Sequence, residues 1–339
     1  NYNKLLNIYQ YFNHKNRNDM KLIKEFEKTT NHDIKALEYF IRHKIKALDF
    51  GIENNLFIDL IPYVHLGLTS QDINHTSTML MIKDSITNIF ANKINNILLK
   101  INFLSEQWWK IYMLALTHGQ PATPTSLGKE FKVFYERINN QFIEINNLKY
   151  KSKFGGATGN FNSMYYTYPN INWNEFADEF LNSLGLERNQ FTTQIDHYDN
   201  YSVIFDIFKR IGVILIDFCQ DVWLYISRNI FKLKVIKGEV GSSAMPHKVN
   251  PIDFENAEAN FAIANNWFGF FSNYLPVSRM QRDLRDSTIS RNFGVAFGHF
   301  LVGLEKFMCG LNKLEPNLDV IENELNNNVI VLSEIFQFI

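Results

Sequence analysis

Apolar residues recur along this chain at three- and four-residue steps rather than in alternation, the period of helices that bury one stripe. Over 33–50, "DIKALEYFIRHKIKALDF" puts Ile34, Leu37, Ile41, Ile45 and Leu48 on one face, and Gly51 supplies a stop. Neither glycine nor proline occurs between Gly67 and Gly119. Inside that gap Phe90, Ile94, Ile97, Ile101, Leu104, Trp108 and Ile111 alternate steps of four and three, a seam of period 3.5. Phe205, Phe208, Gly212, Leu215, Cys219, Val222 and Ile226 form a second seam. Leu127, Phe131, Phe134, Ile138, Ile145 and Leu148 form a third, with one lapse at Gln141. Further helices are predicted within 252–275 and 288–311. The fold class expected is all-α, an elongated bundle of long helices.

The pattern breaks at "IPYVHLG", near residue 66, and at "KLEPN", 313–317. Three domains follow: an N-terminal helical domain over 1–66, a central long-helix bundle over 67–312, and the start of a C-terminal helical domain over 313–339. The chain begins at Asn1 rather than methionine, and the final "EIFQFI" fits no helix signal, so both end domains are expected to be incomplete.

Composition narrows the function classes. The 339 residues are 46% hydrophobic and 15% aromatic, with 30 Phe, which fills a large core and argues against disorder. A net charge of −1 gives no general attraction to nucleic acid or to an anionic membrane, so any anion recognition must be local. No run of eighteen uninterrupted apolar residues predicts a membrane span. Cys219 and Cys309 are too few for a metal cluster or a disulfide framework, and a reducing, cytoplasmic compartment is the default. Cys219 sits on an apolar seam, where packing explains it. His14, His43, His65, His75 and His299 lack metal-ligand spacing, so no metal is expected.

Four polar islands interrupt the helical pattern. In "LTSQDIN" (68–74), Thr69 or Ser70 can cap the longest helix, and the free amides there also suit a carboxylate. "THGQPATP" (117–124) has the glycine and prolines of a turn, but a turn does not require His118. "SRMQRDLRDSTISRN" (278–292) sets four arginines against two aspartates; it reads either as a solvated charged face or as a fork-shaped site for phosphate or carboxylate. "GSSAMPHKVNPIDFEN" (241–256) joins flexible hydroxyl-bearing residues to a stiffened Lys-Val-Asn-Pro base, as either an ordinary connection or a loop that closes over an anion. "FGGATGN" (154–160) lacks the spacing of a dinucleotide loop and the lysine of a P-loop, which excludes a nucleotide cofactor there.

Together the islands resemble the aspartase/fumarase superfamily, whose Gly-Ser-Ser-x-Met-Pro-x-Lys-x-Asn-Pro signature reads without departure from Gly241 to Pro251. Within it the chain is similar to the adenylosuccinate lyase family, through "TTNHD" (29–33), "LTSQD", "THGQPATP", "TTQI" (192–195), "PHKVNPIDFEN" and "SRMQRDLRDST". The likeness runs from about Glu27 to Glu334. The family's early Asp-Gly-Arg-Tyr segment, a phosphate contact, has no counterpart after Asn1, and much of its C-terminal domain is expected to be absent.

The resemblance implies elimination of fumarate from adenylosuccinate, leaving AMP, and from the imidazole succinocarboxamide ribotide of purine synthesis. Ser242 would be the base, with Ser243 as the alternative, and His118 the acid. Glu255 would be the histidine's partner, because a carboxylate beside an imidazole favours its proton-donating form. Lys248 and Asn250 would grip the carboxylate that gains charge. Thr69 and Ser70 would hold the succinyl carboxylates, and Thr117 would also bind substrate. Gln194, Arg282, Ser287 and Arg291 would hold the nucleotide portion, with His32 nearby. No cofactor is implied.

The resemblance also implies a homotetramer assembled through the central helices, with each site built from three chains. Chain length agrees. About 45 residues separate "TSQD" from "THGQ", roughly 65 Å of continuous helix at 1.5 Å per residue, so one chain cannot bring the two islands together but symmetric neighbours can. The competing expectations are a sibling lyase acting on argininosuccinate, fumarate or aspartate, and a non-catalytic helical assembly protein.

Overall fold

The computed structural model describes residues 17–49, 58–234 and 249–336. They fall into two compact units, each drawn from separate stretches of chain. Of the described residues, one unit comprises 17–49, 58–81, 150–196 and 279–282; the other comprises 82–149, 197–234, 249–278 and 283–336.

The second unit is the long-helix bundle. Its main helices are α4 (Ala91–Gln107), α5 (Leu127–Asn146), α8 (Asp199–Ser227), α9 (Ile252–Tyr274) and α11 (Phe293–Lys313). Helix α9 packs on both α8 and α11, α5 on α4 and α8, and α11 on α4. The seams legible in sequence are the buried faces. Phe90, Ile94, Ile97, Ile101, Leu104 and Trp108 are buried, as are Leu127, Phe131, Phe134, Ile138 and Ile145. Phe205, Phe208, Leu215, Cys219 and Val222 complete the set, while Ile111, Leu148 and Ile226, at the ends of the seams, are only half-buried. Burial pushes the Cys219 thiol up, so it behaves as a small core hydrophobe.

Phenylalanines interlock the helices. Phe208 meets Phe297 and Phe300 edge-on at 5.2 Å each, and Phe134 stacks on Phe218 at 4.2 Å. Two glycines on α11 let α9 approach: a Cβ on Gly303 would lie 2.6 Å from the Phe261 ring, and one on Gly310 2.7 Å from Phe254. Residues 285–313 are long and apolar enough to cross a membrane by composition, but Phe293, Ala296, Phe300, Leu304, Phe307 and Leu311 are buried within the bundle, as in a core helix.

The first unit contains α1 (Arg17–Thr30), α2 (Asp33–Asp49), the start of α3 (Ser70–Ser85), α6 (Asn162–Thr167) and α7 (Trp173–Ser183). On α2 the buried face differs from the expected stripe. Ile34 and Ile45 are buried and Leu37 and Ile41 only half-buried, while Ala36, Phe40 and Glu38 are buried. Glu38 is tolerated there because Lys35 and Arg42 pair with it at 2.9 and 2.7 Å. From Ser70 to Gln107 the chain is helical throughout, with a single π-turn at Ile86–Phe90.

Among the described residues, strands occur only as three two-stranded ladders. One was not legible in the pattern. Residues 117–124, read as a turn after the longest helix, belong to a hairpin of β1 (Tyr112–Thr117) and β2 (Gln120–Ser126). Its prolines, Pro121 and Pro124, fit because a two-stranded ladder leaves each strand an open edge.

Candidate active site

In the first unit, His32 precedes α2 and its Nδ1 accepts the Lys35 N–H at 3.2 Å, the geometry of an N-cap. Its Nε2 lies 3.3 Å from Ser70 Oγ. His32 and Ser70, both named from sequence, are brought together. Thr69 stands just before α3, and its N–H donates to Asp72 Oδ2 at 2.8 Å, a capping-box arrangement with Asp in the third helical position.

Asp72 is the hub. Its carboxylate pairs with Lys153 Nζ at 2.7 Å, and accepts Gly155 N–H at 2.9 Å and Gly156 N–H at 3.1 Å. Lys153 Nζ also donates to Gly156 O at 2.6 Å. The amides of the Gly-Gly turn thus serve the protein's own carboxylate rather than a phosphate. Gly156 has φ +78° and Gly159 φ +74°; a Cβ on Gly159 would lie 2.1 Å from Thr192 O, so the turn presses against 192–194. There Gln194 donates through Nε2 to Ala157 O at 3.1 Å, accepts at Oε1 from Arg282 Nη1 at 3.3 Å, and donates its N–H to Gln281 O. Gln194 and Arg282, expected to share the nucleotide portion, are in direct contact.

One more buried group, His75, joins this region. Burial, then the Lys153 and Arg282 cations, hold His75 down to about 3, so its imidazole is neutral at physiological pH. Burial also lowers Lys153, against the opposing pull of Asp72 and Asp196. Asp72, His75 and Lys153 were missed as site residues. The Thr-x-x-Asp spacing was a signal for Asp72. Lys153 has no local signal, since its partner is 81 positions away and buried lysines are rare.

In the second unit, His118 and Gly119 are the two central residues of the hairpin turn, at φ +55° and +73°, the signature of a type I′ connection. Thr117 and His118 are both exposed. Glu255 is exposed in the first turn of α9, where its Oε1 accepts from Trp223 Nε1 at 3.1 Å. Among the described residues, no hydrogen bond or ion pair joins His118 to Glu255 within one chain. Asn250 is partly exposed just before α9. Ser287 lies on the short helix α10 (Arg285–Ser290) and donates to Leu284 O at 3.0 Å; Arg291, exposed, follows it.

The arginine-rich island is divided in its duties. Arg285 is committed within the protein: it forks onto Asp283 at 2.7 and 2.9 Å, donates to Tyr274 Oη at 3.0 Å and lies over that ring. Ser242 and Lys248 lie outside the described residues.

The sequence model of a family described as lyase matches residues 7–263, and that of the adenylosuccinate lyase C-terminal family matches 278–339. An adenylosuccinate lyase of Dictyostelium discoideum is 47% identical over 340 residues, spanning 99% of this chain and 71% of its own length. The corresponding proteins of Legionella pneumophila (strain Corby) and Escherichia coli (strain K12) are 43% and 42% identical, spanning 95% and 94% of this chain and 69% of each relative. Among solved structures, a 3-carboxy-cis,cis-muconate lactonizing enzyme from Pseudomonas putida superposes with a TM-score of 0.74 at 18% identity, covering 92% of this chain and 68% of that one. A fumarate lyase from Mesorhizobium sp. BNC1 gives 0.74 at 16% identity, covering 95% and 69%. At those identities the structures show a common fold.

Proposed function

Because the chain belongs to the adenylosuccinate lyase family, and is thereby a carbon–nitrogen lyase, we propose that it cleaves adenylosuccinate to fumarate and AMP and acts likewise on imidazole succinocarboxamide ribotide. Ser242 reacts as its alkoxide, whose charge the Lys248 cation favours: Oγ takes the proton from the carbon beside a succinyl carboxylate and becomes the hydroxyl. The electron pair passes through a carboxylate-stabilised carbanion into the new C=C bond as the C–N bond breaks, and His118 protonates the departing nitrogen. Lys248 and Asn250 grip the carboxylate that gains charge, Thr69 and Ser70 hold the succinyl carboxylates, and Thr117 also binds substrate. Gln194, Arg282, Ser287 and Arg291 hold the nucleotide portion, with His32 beside it and Glu255 as the acid's partner.

The observation that carries this reading is His118 itself. An exposed histidine at the apex of a rigid two-residue turn does nothing for folding that asparagine or glycine would not do better. It is presented outward, as an acid for a bound substrate must be. The exposed apolar residues on the long helices, among them Leu99, Phe103, Val213, Leu224, Phe270 and Val302, support assembly into a homotetramer that buries them and builds each site from several chains. The test is loss of ultraviolet absorbance when purified protein meets adenylosuccinate, with fumarate and AMP formed in equal amounts. No loss with adenylosuccinate, or cleavage of argininosuccinate instead, overturns the proposal.

A further inference from the structure

Asp72 and Lys153 form an ion pair whose side chains are both wholly buried. Withdrawing two charges from water is unfavourable unless many further bonds compensate, and a well-packed apolar pair often stabilises a fold as well. What distinguishes this pair is where its remaining bonds go. Asp72 accepts from the N–H groups of Thr69, Gly155 and Gly156, and Lys153 donates to the Gly156 carbonyl. The first of those amides belongs to Thr69, which caps the helix beginning at Ser70. The other two lead directly to Ala157, whose carbonyl holds Gln194, which in turn holds Arg282. One buried pair therefore ties together two groups of binding residues that are far apart in sequence.

We propose that the Asp72–Lys153 pair is a positioning device that fixes the Thr69–Ser70 helix start in register with the Gly155–Ala157 turn supporting Gln194 and Arg282. The inference rests on the reading of those four residues as substrate contacts. Asp72 and Lys153 themselves act through them. Loosening the pair should weaken contacts to the succinyl carboxylates and the nucleotide portion that are made alike in the ground and transition states, while leaving the acid and the base unaltered. The signature is a raised KM with kcat largely kept.

Two variants test this on the full chain. Asp72→Asn keeps the size of the side chain but loses the charge. The double variant Asp72→Asn/Lys153→Met removes both charges, so that no lone ion is left buried. In each, KM for adenylosuccinate should rise about tenfold or more with kcat within about threefold, and AMP should bind more weakly in parallel. A merely structural pair would lower the melting temperature and leave the KM of the folded protein unchanged, and that result overturns the proposal. A third arm needs no variant: the Thr69, Gly155 and Gly156 amides of the wild-type protein should resist hydrogen exchange before any ligand is added, and rapid exchange there overturns it equally. Failure of the wild-type protein to cleave adenylosuccinate would sink the functional reading instead; wild-type cleavage with unmoved KM in the variants sinks this inference alone.

Discussion

His75 makes the stability of this protein depend on acid in a way that can be calculated. It is buried in the second turn of α3, and burial with the Lys153 and Arg282 cations lowers it from 6.5 to about 3. Between those two values the unfolded chain holds a proton that the folded chain refuses. Stability is therefore complete above the unfolded value and is lost as pH falls towards the folded one. Each pH unit between the two values removes about 1.36 kcal/mol, so this residue alone withdraws about 2 kcal/mol by pH 5 and about 4 kcal/mol by pH 3, where the folded group begins to protonate. His75→Gln removes the titration and keeps a polar side chain of similar length. Its packing penalty does not vary with pH, and carboxylates elsewhere titrate alike in both proteins. The gap in unfolding free energy between wild type and variant should thus change by about 2 kcal/mol between pH 8 and pH 5, always at the expense of wild type. Urea unfolding followed by circular dichroism at four pH values measures it. Parallel curves would refute the claim that the fold holds this imidazole neutral.

His118→Asn should lower kcat by about 10²-fold or more with the melting temperature kept, because asparagine accepts the left-handed turn but cannot donate the proton; near-normal turnover removes His118 from the chemistry. If His118 and Ser242 of one site come from different chains, His118→Ala and Ser242→Ala subunits mixed in equal amounts and reassembled should regain about a quarter of wild-type activity, and no recovery despite proven exchange assigns both to one chain. Gly159→Ala should destabilise by more than about 2 kcal/mol in thermal unfolding, since its Cβ would strike Thr192 O in a left-handed backbone; a change under about 0.5 kcal/mol would mean the turn relaxes freely.

Sequence alone determined much of this protein, for a physical reason: helix period and turn chemistry are local. The three seams from Phe90, Leu127 and Phe205 are the bundle core, because a residue's face on a helix follows from its spacing. The short motifs that gave the family were likewise contiguous and survived reading without coordinates. What needed the tertiary structure was every relation between residues distant in sequence. Only packing chose Glu38 over Leu37 as a buried position on α2: Lys35 and Arg42 are local partners on the same helix, but His65, 27 positions on, also meets the carboxylate, at 3.2 Å. Only packing turned Asp72 from a helix cap into the partner of Lys153, and filled the Gly155–Gly156 amides with that carboxylate instead of an external anion. The arginine island shows the division most plainly. Its composition allowed either a solvated face or an anion site. The structure commits Arg285 to nearby Asp283 and Tyr274 but sets Arg282 on Gln194, 88 positions away, an acceptor that local sequence does not bring to it.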